Sequence, residues 1–551
     1  MRRALLSVVP IIALFSLALL SQPAPARQPA STVPAGSLFR TSDACMACHN
    51  GLTAPSGEDI SIGFHWRSSM MANSARDPYW HAGVAREVRV HPQARAAIEH
   101  ECSACHMPMT RYEAKVNGRL GEVFANLPIS RAATPTAALA ADGTSCTMCH
   151  QVTSEKLGTK ESFTAGFVVQ VAQPADWRHV FGPFLVDAGR ARIMRSASGF
   201  QPTEMSHIRE SELCATCHTL YTHALGPGGE PAGEFPEQVP YLEWRHSGYR
   251  AGKSCQACHM PVLDGEVAIS SVLGQPRSGV SRHEFRGGNF LMPRMLNRFR
   301  QELGVVALPQ ELDATARRAT EHLQSESAVL TIEGARLDGQ RLHANVVVEN
   351  AAGHKLPTAY PSRRAWLHFA VQDQNGRIVF ESGAVGANGA IKGNDNDADA
   401  TRYERHYAEI DAPGKVQIYE PIMTDHAGAV TTVLLSAVRY AKDNRLLPRG
   451  FDKATAEEDI AVRGEAATDA DFVGGKDVVR YSVDISGGQG PFRVHSELCY
   501  QPIGYRWAQN LRTEKTAETD RFVSYYESMA GSSWLTLARS ETTVGGKTAS
   551  E

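Results

Sequence analysis

Ten of the eleven cysteines in this 551-residue chain stand in five copies of one pattern, Cys-x-x-Cys-His. The copies are Cys45, Cys48 and His49; Cys102, Cys105 and His106; Cys146, Cys149 and His150; Cys214, Cys217 and His218; and Cys255, Cys258 and His259. Two thiols one helical turn apart can add to the two vinyl groups on one edge of a porphyrin. The histidine that follows can then swing under the ring and bind the iron. This spacing is the attachment signature of c-type haem. Cysteine pairs also hold zinc or form redox disulfides, but neither use asks for a histidine after the second cysteine in every copy. The pattern therefore predicts five covalent haem c groups, with His49, His106, His150, His218 and His259 as proximal iron ligands.

Each iron has a second axial position. Sixteen of the 21 histidines lie outside the motifs, and spacing alone does not assign them. His322, His343, His368, His426 and His495 sit in ordinary helix or strand patterns and are read as structural. Methionine is the rival ligand type. Met107 and Met260, however, directly follow motif histidines and cannot reach the opposite face of their own haem.

The segments His65-Trp66-Arg67-Ser68-Ser69-Met70, Ala75-Arg76-Asp77-Pro78-Tyr79-Trp80 and Cys102-Ser103-Ala104-Cys105-His106-Met107-Pro108 resemble multihaem c-type cytochromes. The branch is the one that includes tetrahaem electron carriers related to hydroxylamine oxidoreductase. Three later segments are similar to the same group: His207 ahead of Ser211-Glu212-Leu213-Cys214, His283-Glu284-Phe285-Arg286-Gly287-Gly288-Asn289, and Gly353-His354-Lys355-Leu356-Pro357-Thr358. The resemblance implies that histidines distant in sequence complete the coordination. It carries the distal role to His65, His91, His207, His283 and His354, with His246, His223, His179 and His406 as substitutes. His354, in a Gly/Pro-bounded loop, would pin the second half of the chain onto the haems. Pentahaem nitrite reductases of this group replace one motif histidine by lysine, whereas here all five motifs end in histidine. The tyrosine cross-linked haem of hydroxylamine oxidoreductase has no visible counterpart. Both departures imply six-coordinate irons and electron transfer rather than catalysis.

Two smaller features complete the inventory of reactive residues. Asp395, Asp397 and Asp399 alternate like the opening of a calcium loop. Ala400 stands where such a loop turns on glycine, and His406 where it closes on glutamate, so a solvated acidic turn competes with a calcium site. Cys499 lies in a strand-like run without a motif and is expected to be a buried apolar side chain.

The elements that must position these residues divide the chain. Arg2 and Arg3, an apolar run from Ala4 to Leu20 and Ala24-Pro25-Ala26 make residues 1–26 a secretory signal peptide. An uncleaved anchor is the alternative, at a length near the lower limit for spanning a bilayer. The expected class is an α+β multidomain fold. Residues 27–288 form a haem-packed, mainly helical and loop domain, and residues 289–326 a helical connector with apolar residues at helical spacing. Residues 327–540 form a mostly β, sandwich-like domain. There Leu342, Ala344, Val346 and Val348 alternate with polar neighbours, Asn375-Gly376 marks a hairpin, and a helix near Asp520–Met529 closes the chain. Thr431–Leu435 and Val478–Ile485 read as further strands.

Formal charge is −3, and loss of Arg2 and Arg3 with the signal makes it −5. Haem propionates would make it more negative still. This balance excludes nucleic acid and favours basic or salt-sensitive partners. The readings together predict an exported, periplasmic or secreted pentahaem cytochrome c relaying electrons between redox proteins, other cytochromes among them, with no membrane insertion after signal cleavage. One alternative is an oxidoreductase acting on a small nitrogen or sulfur compound at one open haem. The other is a self-assembling subunit of an extracellular cytochrome filament.

Overall fold

Cysteines three residues apart fall on one side of the chain where it makes a helical turn, and a short helix carries or opens every motif. These helices are Asp43–Met46, Arg95–His106, Cys146–Cys149, Ser211–Ala215 and Cys255–His259. The structure, a computed structural model, describes residues 37–171 and 177–545, and the expected signal peptide lies outside them. Among the described residues no helix is long and apolar enough to cross a membrane.

Longer helices frame the motifs. Pro78–Val90 starts with proline in its first turn, and the Asp77 side chain accepts the Tyr79 and Trp80 backbone N–H groups at 2.8 and 3.3 Å. It packs against Arg95–His106 and against the C-terminal helix Ala517–Ser528. The connector folds as Leu291–Arg298, Arg300–Leu303 and Pro309–Glu326, with Gly304 in the left-handed conformation ending the second helix.

The second half is built on two larger, antiparallel-dominated sheets, with a smaller three-stranded one of Val430–Thr431, Pro421–Thr424 and Arg439–Asp443 beside them. One large sheet runs Ile378–Ser382, Arg364–Gln372, Phe492–Gln501, Leu535–Val544, with Ile418–Tyr419 also on Arg364–Gln372. The other runs Glu409–Ile410, Lys476–Asp484, Arg341–Asn350, Ala328–Asp338. Phe369 of the first sheet stacks on Tyr481 of the second, with ring centres 3.8 Å apart. Alternation in Arg341–Asn350 buries Leu342, Ala344, Val346 and Val348, as the period-two pattern requires. Gly376 supplies the positive φ of the turn between Arg364–Gln372 and Ile378–Ser382. Cys499 is buried within Phe492–Gln501.

The expected strand at Thr431–Leu435 is not one. Only Val430–Thr431 pairs, and Leu434–Ser436 is a 3₁₀ turn. The reason is that the Leu434 and Leu435 N–H groups donate to the Glu87 carboxylate, at 2.8 and 3.2 Å, rather than to a neighbouring strand. One apolar core runs from Phe163 and Tyr241 through Phe290–Leu296 into the sandwich, so the described residues form one compact unit.

Candidate cofactor cavity and axial ligands

Four of the five motifs open into one interior space. A continuous cavity of 640 Å³ is lined by cysteine and histidine side chains of the first four, and Gln256 and Met260 of the fifth border it. Gly83 and Gly182 also line it, and a Cβ at either would meet no atom within 4 Å. The walls leave room for flat, largely apolar groups beside cysteines of the first four motifs.

Four of the five motif histidines are oriented by backbone carbonyls. Nδ1–H of His49 donates to Ile269 O at 2.6 Å, that of His106 to Ser74 O at 2.9 Å, that of His150 to Phe181 O at 2.6 Å, and that of His259 to Arg286 O. A carbonyl only accepts, so the proton sits on Nδ1 and Nε2 keeps its lone pair, which is how metal-binding histidines are held. Burial pushes the His106 and His259 rings down to about 4 and lowers His49, His150 and His218. All are therefore neutral, the form that binds a metal.

Two motif histidines face a second ring. His283 lies 6.4 Å from His150, centre to centre, with planes 20° apart, and its Nδ1–H goes to Ser281 O at 3.2 Å. His354 lies 6.2 Å from His259, with planes 7° apart, and its Nδ1–H goes to Lys355 O at 2.9 Å. A metal–imidazole bond is about 2 Å and a ring centre sits about 1 Å behind its nitrogen, so two imidazoles on opposite faces of one iron stand about 6 Å apart. Both pairs have that spacing.

The motifs also approach one another. The Cys45 thiol is within hydrogen-bonding reach of Cys146, Cys105 of Cys217, and Cys214 of Cys255. These contacts join the first motif to the third, the second to the fourth, and the fourth to the fifth. The zinc alternative has no geometric basis. Among the described residues the motif side chains do not bring three ligand atoms within 4.8 Å of one another.

The remaining distal candidates are placed differently. His91 uses Nε2 on Ser436 Oγ at 3.0 Å and His207 uses it on Val152 O at 2.8 Å, which leaves Nδ1 as the uncommitted nitrogen of each. Nδ1 of both is buried without a partner, as is Nδ1 of His65. His65 lies among Arg282, Arg318 and Glu284, opposite no motif ring at axial spacing. His246 donates to Asp452 O, His223 meets the Glu101 carboxylate, and His179 bonds Thr203 Oγ1.

His406 belongs to a different arrangement. With Asp469 and Asp477 it forms the three-residue group whose ligand atoms do converge. Its Nδ1 accepts from the Gln417 amide at 2.8 Å and the Asn444 amide at 3.1 Å. Backbone partners fix both amides: Gln417 Oε1 accepts the Tyr407 N–H, and Asn444 Nδ2 donates to Ile418 O. The proton therefore sits on Nε2 and goes to Asp469, and neither nitrogen is free for a metal.

The structure does not bring Asp395, Asp397 and Asp399 together as calcium ligands. Asp397 is taken by the Arg364 guanidinium at 2.7 and 2.9 Å and by the Ile391 N–H at 2.8 Å. Asp395 pairs with Arg402, and Asp399 accepts from Thr401.

Sequence reasoning missed several residues here. His322, set aside as structural, lies on the buried side of Pro309–Glu326 with its ring 5.9 Å from that of His259. Trp80 lies flat against His106, with ring centres 4.4 Å apart and planes 1° apart. The cavity wall near Cys102 carries Glu87, Glu101, Glu237, Tyr79 and Tyr360. Glu87 is pushed up to about 7 and Glu237 up to about 8, chiefly by burial and in smaller part by Glu101, to which Glu87 adds for Glu237. A lone histidine on a helix, and single glutamates on two helices and a strand, left no signal that could have found them.

Neither a protein-family model nor a curated protein matches this chain. A solved structure does: a penta-heme cytochrome c552 from Thermochromatium tepidum matches over 92% of this chain and 100% of its own, with a TM-score of 0.51 and 16% identity. The chain has the fold of a multihaem cytochrome.

Proposed function

We propose that the chain is an exported five-haem cytochrome c that relays electrons between redox proteins. The observation that carries the reading is the pairing of His150 with His283 and of His259 with His354 across gaps sized for one metal ion. Haem iron, when bound, supplies a one-electron couple whose potential follows from its axial ligands, hydrogen bonds and burial. The chain's residues do the rest. The motif cysteines fix each macrocycle by one edge, and the carbonyls on Nδ1 hold the imidazoles in the binding tautomer. Contacts between cysteines of different motifs would hold the attached groups of those motifs close to one another. The distal ligands of the remaining motifs would come from the other candidate histidines, His65, His91 and His207 first among them.

A second reading rests on the second motif. The cavity wall near Cys102 is acidic and phenolic rather than basic. That wall suits proton delivery to a small nitrogen or sulfur compound at an open iron.

Low-temperature EPR of the ferric holoprotein, with a pyridine haemochrome count, tests both readings. Five haems giving low-spin signals alone support the relay. A high-spin component that shifts on adding nitrite or hydroxylamine supports the open site. A high-spin signal that converts to low-spin with protein concentration indicates a histidine shared between copies, as in a filament.

A further inference from the structure

The surface over the first and third motifs is unlike the chain as a whole. The end of strand Arg178–Gly182, from which the next loop leaves, is clamped to the third motif, with Phe181 N–H donating to His150 O at 2.6 Å. Along it Phe181, Phe184 and Val186 line the cavity, while Leu185 points out at 71% exposure. The helix that follows, Ala188–Ser198, packs on the helix bearing Cys45. Met194 and Ser198 face the cavity from it, and Ile193 is exposed on its other side. A third strand of chain joins them. Ser271 holds Cys48 O through its N–H and hydroxyl, and two residues on Leu273 is 60% exposed. Arg190 Nε donates to Leu273 O at 2.7 Å, tying this loop to the helix.

The rim of this apolar face is cationic. Arg190, Arg192 and Arg195 come from the helix, and the Arg209 and Arg277 guanidinium groups lie over the Phe184 ring at 5.1 and 5.3 Å. Asp187, paired with Arg190, is the carboxylate on the helix's first turn. Five guanidinium groups around three exposed aliphatic side chains stand out on a chain whose formal charge is −3.

Exposed aliphatics ringed by arginine have the composition of a protein interface, and a local positive field steers an anionic partner even when net charge is negative. We propose that this face, centred on Leu185, Ile193 and Leu273, docks an acidic electron-carrier protein over the first and third haem sites. The proposal rests on the relay reading and gives the relay one end. One electron leaves the reduced carrier and reduces one ferric haem, and no group is transferred. The local charge also qualifies the expectation of basic partners drawn from the whole chain.

The test uses the ferric holoprotein and two reductants of opposite charge, a reduced acidic plant-type ferredoxin and the methyl viologen radical cation, in stopped flow. Ferredoxin should react fastest at low ionic strength and slow roughly tenfold as salt is raised. Arg192→Glu/Arg195→Glu should slow ferredoxin roughly tenfold or more at low salt, without slowing methyl viologen or changing the haem spectrum. Arg192→Lys/Arg195→Lys should keep the native rate, and Leu185→Ser should slow ferredoxin alone. A ferredoxin rate indifferent to salt and to both charge reversal and Leu185→Ser would overturn the proposal while leaving the relay intact. So would sedimentation showing that Leu185→Ser abolishes a dimer, since the occupant would then be a second copy. Wild-type haems that accept electrons from neither reductant would remove the relay itself, and the docking face with it.

Discussion

A ring nitrogen committed to a carbonyl decides what the other nitrogen can do. His283 and His354 each spend Nδ1–H on the backbone, which leaves Nε2 unprotonated on a ring that lies about one axial span from a motif ring held the same way. Replacing either by alanine should keep all five haems attached, because thioether bonds do not depend on the distal side. One haem should lose its second axial ligand and turn high-spin, read in the visible and EPR spectra. Unchanged spectra for His354→Ala would remove it as a ligand. Glu87 and Glu237 make a second prediction. Burial raises both in the folded chain, so above the ordinary carboxylate range of about 4.3 the native state holds protons that the unfolded chain has released. Stability then falls as pH rises. The contribution is whole below about pH 4.3 and has been lost once pH passes the folded values of about 7 and about 8. Glu87→Gln/Glu237→Gln should flatten urea midpoints between pH 5 and 8.5 relative to wild type, and parallel curves would contradict the assignment.

At the next scale, four buried charges lock the helix Pro240–Arg245 to the loop that carries His354. Lys355 Nζ reaches Asp443 at 2.7 Å, Arg445 spans Asp443 at 2.7 Å and Glu243 at 2.9 Å, and Glu243 accepts the Lys355 N–H at 3.1 Å. All four are buried. Glu243→Ala would leave two buried cations with one carboxylate, which costs about 3–5 kcal/mol. Guanidinium unfolding should show that loss, whereas Glu457→Ala, at an exposed pair with Arg245, should cost under about 1 kcal/mol. This quartet also shows where sequence reading stops. The haem motifs are legible because attachment needs contiguous residues, and Arg341–Asn350 is legible because its burial period is local. Lys355 and Asp443 are 88 positions apart, and no periodicity announces their pairing. Thr431–Leu435 has strand composition, but a distant glutamate takes the amides that a strand would have used. His283 and His354 could be proposed only through family resemblance. His322 and Trp80 were invisible even so, because ordinary helix composition surrounds them.

For the molecule as a whole, the cavity is the departure from ordinary packing. Protein interiors hold few voids larger than a water molecule, whereas this one has 640 Å³. A chain without its macrocycles should therefore not keep this cavity open. The two halves should differ in the response. The sandwich core, with Phe369 stacked on Tyr481, borrows little from the cavity, whereas the helices at Pro78–Val90 and Arg95–His106 face it directly. Changing all ten motif cysteines to serine, or expressing the chain without attachment machinery, should leave amides of residues 37–290 unprotected in hydrogen exchange. Protection should persist in Arg341–Asn350, Arg364–Gln372 and Lys476–Asp484. Apoprotein with native protection across residues 37–290 would mean that side chains alone support the first half, and the haem-packed reading would fail at its foundation.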